Sequence, residues 1–386
     1  MFPGETFRRK THGEEAAFCQ MESPRTQPLD SPALQLGSYP TPLRKVEVPN
    51  ESGRDLWIKD DGQSALPYGG NKVRKLERLL SLALASGAKR LLTIGAAGSH
   101  HVLATCIFGG RVGLVTRAVL TPQPWTPHAE ATLRAGLNSG LSAVPANSVW
   151  DAVRRLRRER LPGDFVIGPG GWGAAGTWAY RLAVDELYEQ LTSAGISELD
   201  AIVVAAGSGS TAAGLLAGVM ETNIARRVIA VQVTPNPALR ALIAGQALYT
   251  LWRHARPLRT VTALRCLEIE GRFVGAGYGH ASVSGDAASE LARSFGLVLE
   301  PTYTAKAFAA ALNRMHASDR TVERSKLRLH RRQTYLYWHT LSSVPLNALL
   351  MGAPITLPKE LAHLLRMPSL VLRGPPAPRG AGGDVP

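Results

Sequence analysis

Tyr68-Gly69-Gly70-Asn71-Lys72-Val73-Arg74-Lys75-Leu76-Glu77 is the stretch on which the reading of this 386-residue chain turns. Two glycines let a backbone pass close to a flat ligand. A lysine follows at once, ahead of a helix-forming run. An amine in that position suits carbonyl chemistry, in which it must be partly desolvated before it adds to an aldehyde. The same residues also read as a Gly-Gly-Asn turn before a helix whose solvated face carries Lys72, Arg74, Lys75 and Arg78. Motifs this short recur by chance, so support must come from elsewhere in the chain.

It comes far downstream. Ala201-Ile202-Val203-Val204-Ala205-Ala206 is an apolar run that reads as a buried strand. Gly207-Ser208-Gly209-Ser210-Thr211 follows, and then Ala212 to Gly218, which reads as the start of a helix. Strand, Gly/Ser/Thr turn and helix N-terminus make a phosphate cup, because backbone N–H groups, small hydroxyls and the positive helix end converge on one anion. No Gly-Lys-Ser/Thr ending is present, which speaks against a nucleoside-triphosphatase loop. A tight strand-to-helix turn that binds nothing has the same composition. Together, an amine-bearing motif and a separate phosphate cup point to pyridoxal phosphate as cofactor.

From here the chain resembles a known family, the fold type II (tryptophan synthase β-like) pyridoxal-phosphate enzymes, in the branch holding 1-aminocyclopropane-1-carboxylate deaminase and D-cysteine desulfhydrase. The matching pieces run in family order over about residues 38 to 350. They are Thr41-Pro42-Leu43, Ile58-Lys59-Asp60-Asp61, Gly69-Gly70-Asn71-Lys72 with Arg74 to Glu77, and Gly95-Ala96-Ala97-Gly98-Ser99-His100-His101. Pro169-Gly170-Gly171, the 207–211 cup, Glu300-Pro301-Thr302-Tyr303-Thr304-Ala305-Lys306-Ala307 and Trp338-His339-Thr340 complete the set.

The resemblance implies roles residue by residue. Lys72 would carry the cofactor and move the Cα proton; Lys75, a turn further on, is its nearest rival. Asn71 would touch the cofactor, and Gly207, Ser208, Gly209, Ser210 and Thr211 would hold its phosphate. Ser99, His100 and His101 would face cofactor and substrate; the plainer alternative is two loop histidines without a catalytic part. Tyr303 would stand near the ring and act in proton transfer. Tyr278, in Gly277-Tyr278-Gly279, would be a second substrate-side tyrosine or a turn aromatic. Thr340 would set a hydroxyl beside the pyridine nitrogen, which favours elimination over chemistry needing a stronger electron sink.

The chain also departs from the family pattern. His100 stands where the family has asparagine beside the cofactor's 3-oxygen, and it is expected to titrate near neutrality and make activity pH-dependent there. Ser210 replaces a glycine and is expected to cost about 1 kcal/mol if that position needs positive φ. Leu341-Ser342-Ser343 replaces Gly-Gly and is expected to bring bulk against the ring. Thr304 replaces the glutamate of the cyclopropane-opening deaminases.

Composition narrows the classes further. With 45% hydrophobic residues the chain can bury a sizeable core, as a prior in about two domains. Alternating apolar runs (Arg90–Ile94, Gly113–Val115, Ala201–Ala206, Val228–Val233) and helical stretches (Val73–Ala85, Ala129–Leu137, Thr177–Leu191, Asp286–Phe295) argue for α/β architecture with open, largely parallel sheets and helices on both faces. The resemblance implies a large cofactor-binding domain, 37–75 with 173–372, interrupted by a small α/β domain, 76–172. Residues 1–36 read as a loosely ordered leader and 373–386 as a disordered Pro/Gly tail. Cys19, Cys106 and Cys266 are scattered, without metal or disulfide spacing, which fits a reducing cytoplasm and no metal site. No apolar run reaches about 18 residues, so no membrane span is expected.

A net charge of +14 raises nucleic-acid binding as another class. The basic runs Arg154–Arg160 and Arg320–Arg332 carry no recognised motif, and the first keeps a helical stripe of Val149, Val153 and Leu156. No nucleic-acid partner is therefore expected. The leading expectation is a pyridoxal-phosphate lyase of the D-cysteine desulfhydrase type acting on a small amino acid, as a homodimer by the family's habit. The alternatives are cyclopropane-substrate deamination and a cofactor-binding relative with redirected chemistry.

Overall fold

The chain folds around two sheets. A computed structural model describes residues 32–49, 51, 53–316, 332–352 and 356–365. The expected tail (373–386), the leader up to residue 31, Cys19 and the basic run up to residue 331 lie outside the described residues.

The larger sheet contains β1 (Leu43–Val46), β2 (Arg54–Asp60), β7 (Ala201–Ala206), β8 (Val228–Gln232), β9 (Leu267–Glu270) and β10 (Gln333–His339), in the order β1-β2-β10-β7-β8-β9. Only β1 is antiparallel to its neighbour. The smaller sheet is wholly parallel: β3 (Arg90–Ala96), β4 (Val115–Thr121), β5 (Ser142–Pro145) and β6 (Asp164–Ile167), in the order β5-β4-β3-β6.

Burial on both faces explains the unbroken apolar run of β7. Ile202, Val204 and Ala206 pack with Tyr180, Leu215 and Trp338 on one side. Ala201, Val203 and Ala205 pack with Phe308 and Tyr337 on the other. A strand covered twice has no polar face to alternate with. Full burial of Ile202, Val203 and Val204 contributes roughly 1.5–3 kcal/mol each.

The strand read at Gly113–Val115 begins only at its last residue. Gly113 has a φ of 76° and belongs to the turn before β4. The stretch Gly95–His101, read as a loop, is β3 up to Ala96 and then a turn, and His100 and His101 open the helix His100–Arg111. Ser99 caps that helix by accepting from the Val102 N–H at 3.4 Å. In the Val149–Glu159 helix the basic residues form a solvated face, with Arg154 and Arg155 paired to Asp151. Among the described residues, no helix is long and apolar enough to cross a membrane.

One buried charge ties the elements beneath the future site. The Asp61 carboxylate, which follows β2, accepts from Arg74 Nε at 3.0 Å, Thr41 Oγ1 at 3.0 Å, Tyr180 OH at 2.5 Å and Trp338 Nε1 at 2.7 Å. Arg74 also holds Glu186 at 2.8 Å, and the buried Lys59 amine meets Glu186, Thr41 O and Gln190. These contacts fix the Lys72–Ala85 helix against β2, β10 and the Ala174–Ser193 helix.

Candidate active site

The segments that leave β2, β10 and β7 emerge side by side, because these strands are adjacent and parallel. Carboxyl ends of parallel strands are where open α/β sheets gather ligand-binding groups. The meeting is direct. Asn71 donates its backbone N–H to Thr340 O at 3.1 Å and its side-chain amide to Thr211 Oγ1 at 3.1 Å. Gly70, at φ 90°, passes so close that a Cβ would stand 2.7 Å from Thr340 O. Asn71, Lys72 and Thr340 line one cavity of about 430 Å³, as do Gly207 to Thr211. Ser99, His100, His101, Tyr278 and Tyr303 line it too, so the candidate catalytic, cofactor and substrate residues meet there.

Lys72 is the first residue of its helix, and its amine has no hydrogen-bond partner among the described residues. Burial draws its pKa down to about 8. An amine reacts with a carbonyl only when neutral, so below that value its rate of addition to an aldehyde is expected to rise about tenfold per pH unit and to level off above it. Stopped-flow mixing of the cofactor-free protein with an aldehyde across pH 6 to 10 checks this; a flat profile would contradict it. Lys75 is placed differently. It is fully buried, donates to Gly170 O at 3.1 Å, and lies 5.6 Å from the Tyr180 ring centroid.

The 207–211 turn leaves a helix end open. Gly209, at φ 89°, is the N-cap of the Ser210–Thr222 helix, and no side chain caps it. The first backbone bond of that helix runs from Ala213 N to Gly209 O, so earlier N–H groups are left to an external acceptor. A side chain at Gly207 would crowd Tyr303, since a Cβ would stand 3.0 Å from its Cε1. The strain expected at Ser210 is absent: the positive φ falls on Gly209, and Ser210 is helical. Its buried hydroxyl donates to Gly171 O at 3.3 Å and meets Thr177 Oγ1 at 3.3 Å. Ser210→Gly is therefore expected to lower stability by about 1 kcal/mol rather than relieve strain, as read by urea unfolding.

His100 does not behave as expected from its type. Its Nδ1 lies 2.5 Å from Tyr68 OH and its Nε2 lies 3.1 Å from His128 Nε2. Burial, the neighbouring His128 and the Lys72 charge push its pKa well below the usual histidine range, so it stays neutral at physiological pH. The expected titration near neutrality is thus not a property of this ring. His101 is buried, with Nε2 3.0 Å from Thr93 Oγ1 and Nδ1 unpartnered. Its pKa is likewise pushed well down, by burial and then by the Lys72 and Lys75 charges.

Tyr278 is more than a turn residue. Tyr303 OH donates to its hydroxyl at 3.0 Å, and the two rings meet edge to face. Burial pushes Tyr278 up to about 12 and Tyr303 well above its ordinary value, so both are neutral donors. The buried Lys306 amine donates to Val274 O at 2.7 Å and Gly277 O at 2.6 Å, holding the loop that carries Tyr278. Thr304 turns its hydroxyl to Glu300, accepting from the Glu300 N–H at 2.8 Å. The Glu300 carboxylate accepts from the N–H groups of Thr302, Tyr303 and Thr304.

The Leu341-Ser342-Ser343 segment is knitted into the lysine loop. Ser342 Oγ accepts from Gly69 N at 2.9 Å, and Ser343 N donates to Gly62 O at 2.9 Å. Leu341 does reach the cavity wall, but Ser342 ties this end down.

Sequence reasoning assigned nothing to Tyr68, His128 or Glu300. Tyr68 and Glu300 stood inside quoted motifs. His128 carried no local signal, because its approach to His100 depends on how the helices His100–Arg111 and Pro127–Asn138 pack. Among the described residues no cluster of His, Cys, Asp or Glu is fit to hold a metal ion.

Comparison with known proteins agrees with this geometry. The family model described as pyridoxal-phosphate dependent enzyme matches residues 34–325. A D-cysteine desulfhydrase of Salmonella typhi is 30% identical over 302 residues, covering 73% of this chain and 88% of that protein. Among solved structures, an ACC deaminase homologue superposes with a TM-score of 0.66 at 26% identity, over 81% of this chain and 92% of that one. Cysteine synthase from Entamoeba histolytica shares the fold at 16% identity and a TM-score of 0.54, over 90% of this chain and 98% of that one.

Proposed function

Because the chain belongs to the pyridoxal-phosphate-dependent enzyme family, we propose that its cavity carries out β-elimination on a small D-amino acid such as D-cysteine. The products would be pyruvate, ammonia and the released group. The observation that carries this reading is the Asn71–Thr211 hydrogen bond. It sets the free amine of Lys72 one residue from an uncapped helix end that wants an anion.

The cavity residues fit pyridoxal phosphate: an amine without a partner among the described residues, an open anion cup and a backbone passing close at Gly70. The cofactor, when bound, supplies the carbonyl and the electron sink. Lys72 would hold it and exchange a proton at the substrate Cα. Gly207, Ser208, Gly209, Ser210 and Thr211 would take the phosphate on backbone N–H groups, with Asn71 and Thr340 beside them. The neutral Tyr278 phenol, held by the Tyr303 hydroxyl that donates to it, would orient the substrate as a donor, with Ser99 offering a hydroxyl to its carboxylate.

Thr304 favours elimination over cyclopropane opening, because its hydroxyl is engaged by Glu300 and adds no second acid to the cavity. Pyruvate release from D-cysteine is expected to exceed release of the keto acid from 1-aminocyclopropane-1-carboxylate by at least about tenfold in kcat/KM. A coupled dehydrogenase assay on both compounds decides it, and the reverse order would sink the reading.

The domain division at 76–172, a homodimer and cytoplasmic residence belong to the same proposal. The sheets support the first, since β3 to β6 all fall within those limits. Family resemblance supports the other two, and sedimentation analysis tests the dimer.

A further inference from the structure

Tyr68 is buried, lines the cavity and places its hydroxyl 2.5 Å from His100 Nδ1. The opposite nitrogen of His100 meets His128 Nε2 at 3.1 Å, with ring centroids 4.9 Å apart. His128 is not part of the cavity lining and keeps partial exposure. The three groups therefore form a line of hydrogen bonds from the cavity outwards. With both nitrogens of His100 engaged, its ring communicates with the cavity only through the Tyr68 hydroxyl.

We propose that Tyr68, His100 and His128 form a proton relay between the cavity and the outside of the protein. In the inward direction the Tyr68 O–H bond breaks as its proton passes to an acceptor in the cavity. Tyr68 O takes the proton of His100 Nδ1–H. His100 Nε2 takes that of His128 Nε2–H, and His128 regains one at Nδ1 from water. One proton enters, every atom that loses a proton gains one, and the chain keeps its charge. A proton passing outwards resets both tautomers. An elimination needs both directions, since it removes a proton at Cα and adds one to the leaving group.

The surroundings suit a neutral shuttle. Lys72 faces His100 and opposes a charge there, so the ring does not trap the proton it passes. Burial lowers the His128 pKa although the Glu300 charge opposes it, so this ring too is neutral between transfers.

The reaction served rests on the lyase reading, but the relay itself does not. The first test therefore uses the full-length, cofactor-free protein with ¹⁵N-labelled histidine. Exchange of the His100 ring N–H proton with water, followed by NMR, is expected to slow at least tenfold in His128→Ala. Tyr68→Phe, which keeps the ring, is expected to shift His100 Nδ1 alone. An unchanged exchange rate in His128→Ala overturns the relay, whether or not any amino acid is turned over.

The second test is kinetic. With D-cysteine, His128→Ala and Tyr68→Phe are expected to lower kcat roughly 10- to 100-fold with KM within about twofold. Added imidazole should restore His128→Ala in proportion to its concentration, which a packing role would not allow. Loss without rescue, or a rise in KM alone, also overturns the relay. Absence of turnover in the wild-type protein with every amino acid tried would count against the lyase reading instead, and the exchange measurement would still decide the relay.

Discussion

Lys72→Ala is expected to abolish covalent capture of pyridoxal phosphate and to lower turnover by at least roughly 10³-fold, the combined loss of an amine nucleophile and a proton-transfer group. The argument is one of availability. Two lysines line the cavity. The Lys75 amine is spent on Gly170 O and sits over Tyr180. Burial, then repulsion from Lys72, depresses its pKa, but it is held by its acceptor. Among the described residues the Lys72 amine has neither acceptor nor ion pair, and burial brings it to about 8. Borohydride reduction followed by peptide mass mapping reads the site directly. Label on Lys72 in the wild type and none in the variant is the expected pattern, whereas label on Lys75 in the variant would reassign the chemistry. The cofactor should still bind the variant reversibly, because the 207–211 cup is untouched.

The second large effect is on stability. Asp61→Ala is expected to cost about 3–5 kcal/mol, since it leaves Arg74 and Lys59 sharing the single carboxylate of Glu186 and strips partners from Tyr180 OH and Trp338 Nε1. Urea unfolding should show a lower midpoint with a similar slope. Arg74→Met should cost markedly less on the Asp61→Ala background than on the wild type, because the two charges answer each other.

The pH dependence has a definite sign. Burial alone would raise the Asp61 carboxyl, but the Arg74 charge and the Tyr180 and Trp338 donors outweigh it and hold the group below the usual carboxylate range. Its folded pKa lies below the unfolded value near 4, so its contribution is complete above about pH 4 and fades as the pH falls further, through the folded value. A wild-type midpoint that stayed constant on acidification from pH 5 to 3 would remove Asp61 from this role.

Much of the site was legible because its parts are short, local signals. Gly-Gly-Asn-Lys is a close-approach turn with an amine, and a strand running into Gly-Ser-Gly-Ser-Thr is an anion cup whatever surrounds it. Each reads from its neighbours in the chain, and the parallel α/β fold follows from runs such as Ala201–Ala206.

What escaped depends on three-dimensional order. The sequence attaches a cost to Ser210 only if that position needs positive φ, and the structure puts the left-handed residue one place earlier, at Gly209. His100 was given a free histidine's pKa, and only its burial beside His128 and Lys72 removes that. No local pattern marks Asp61 as the hub of a network spanning Thr41 to Trp338, since its partners belong to four separate stretches of sequence.

The position of β10 has a consequence for synthesis. This strand lies between β2 and β7 although it is made after both. While the ribosome has not released residues 333–339, β2 and β7 have no partner on their facing sides, and Thr340 is not yet present to receive Asn71. A nascent chain can therefore complete the β3–β6 sheet early, yet cannot assemble its cofactor pocket until residues 333–340 have emerged. Premature termination before Gln333 would leave two open strand edges prone to pairing with other chains, so truncated products should be insoluble and colourless rather than weakly active.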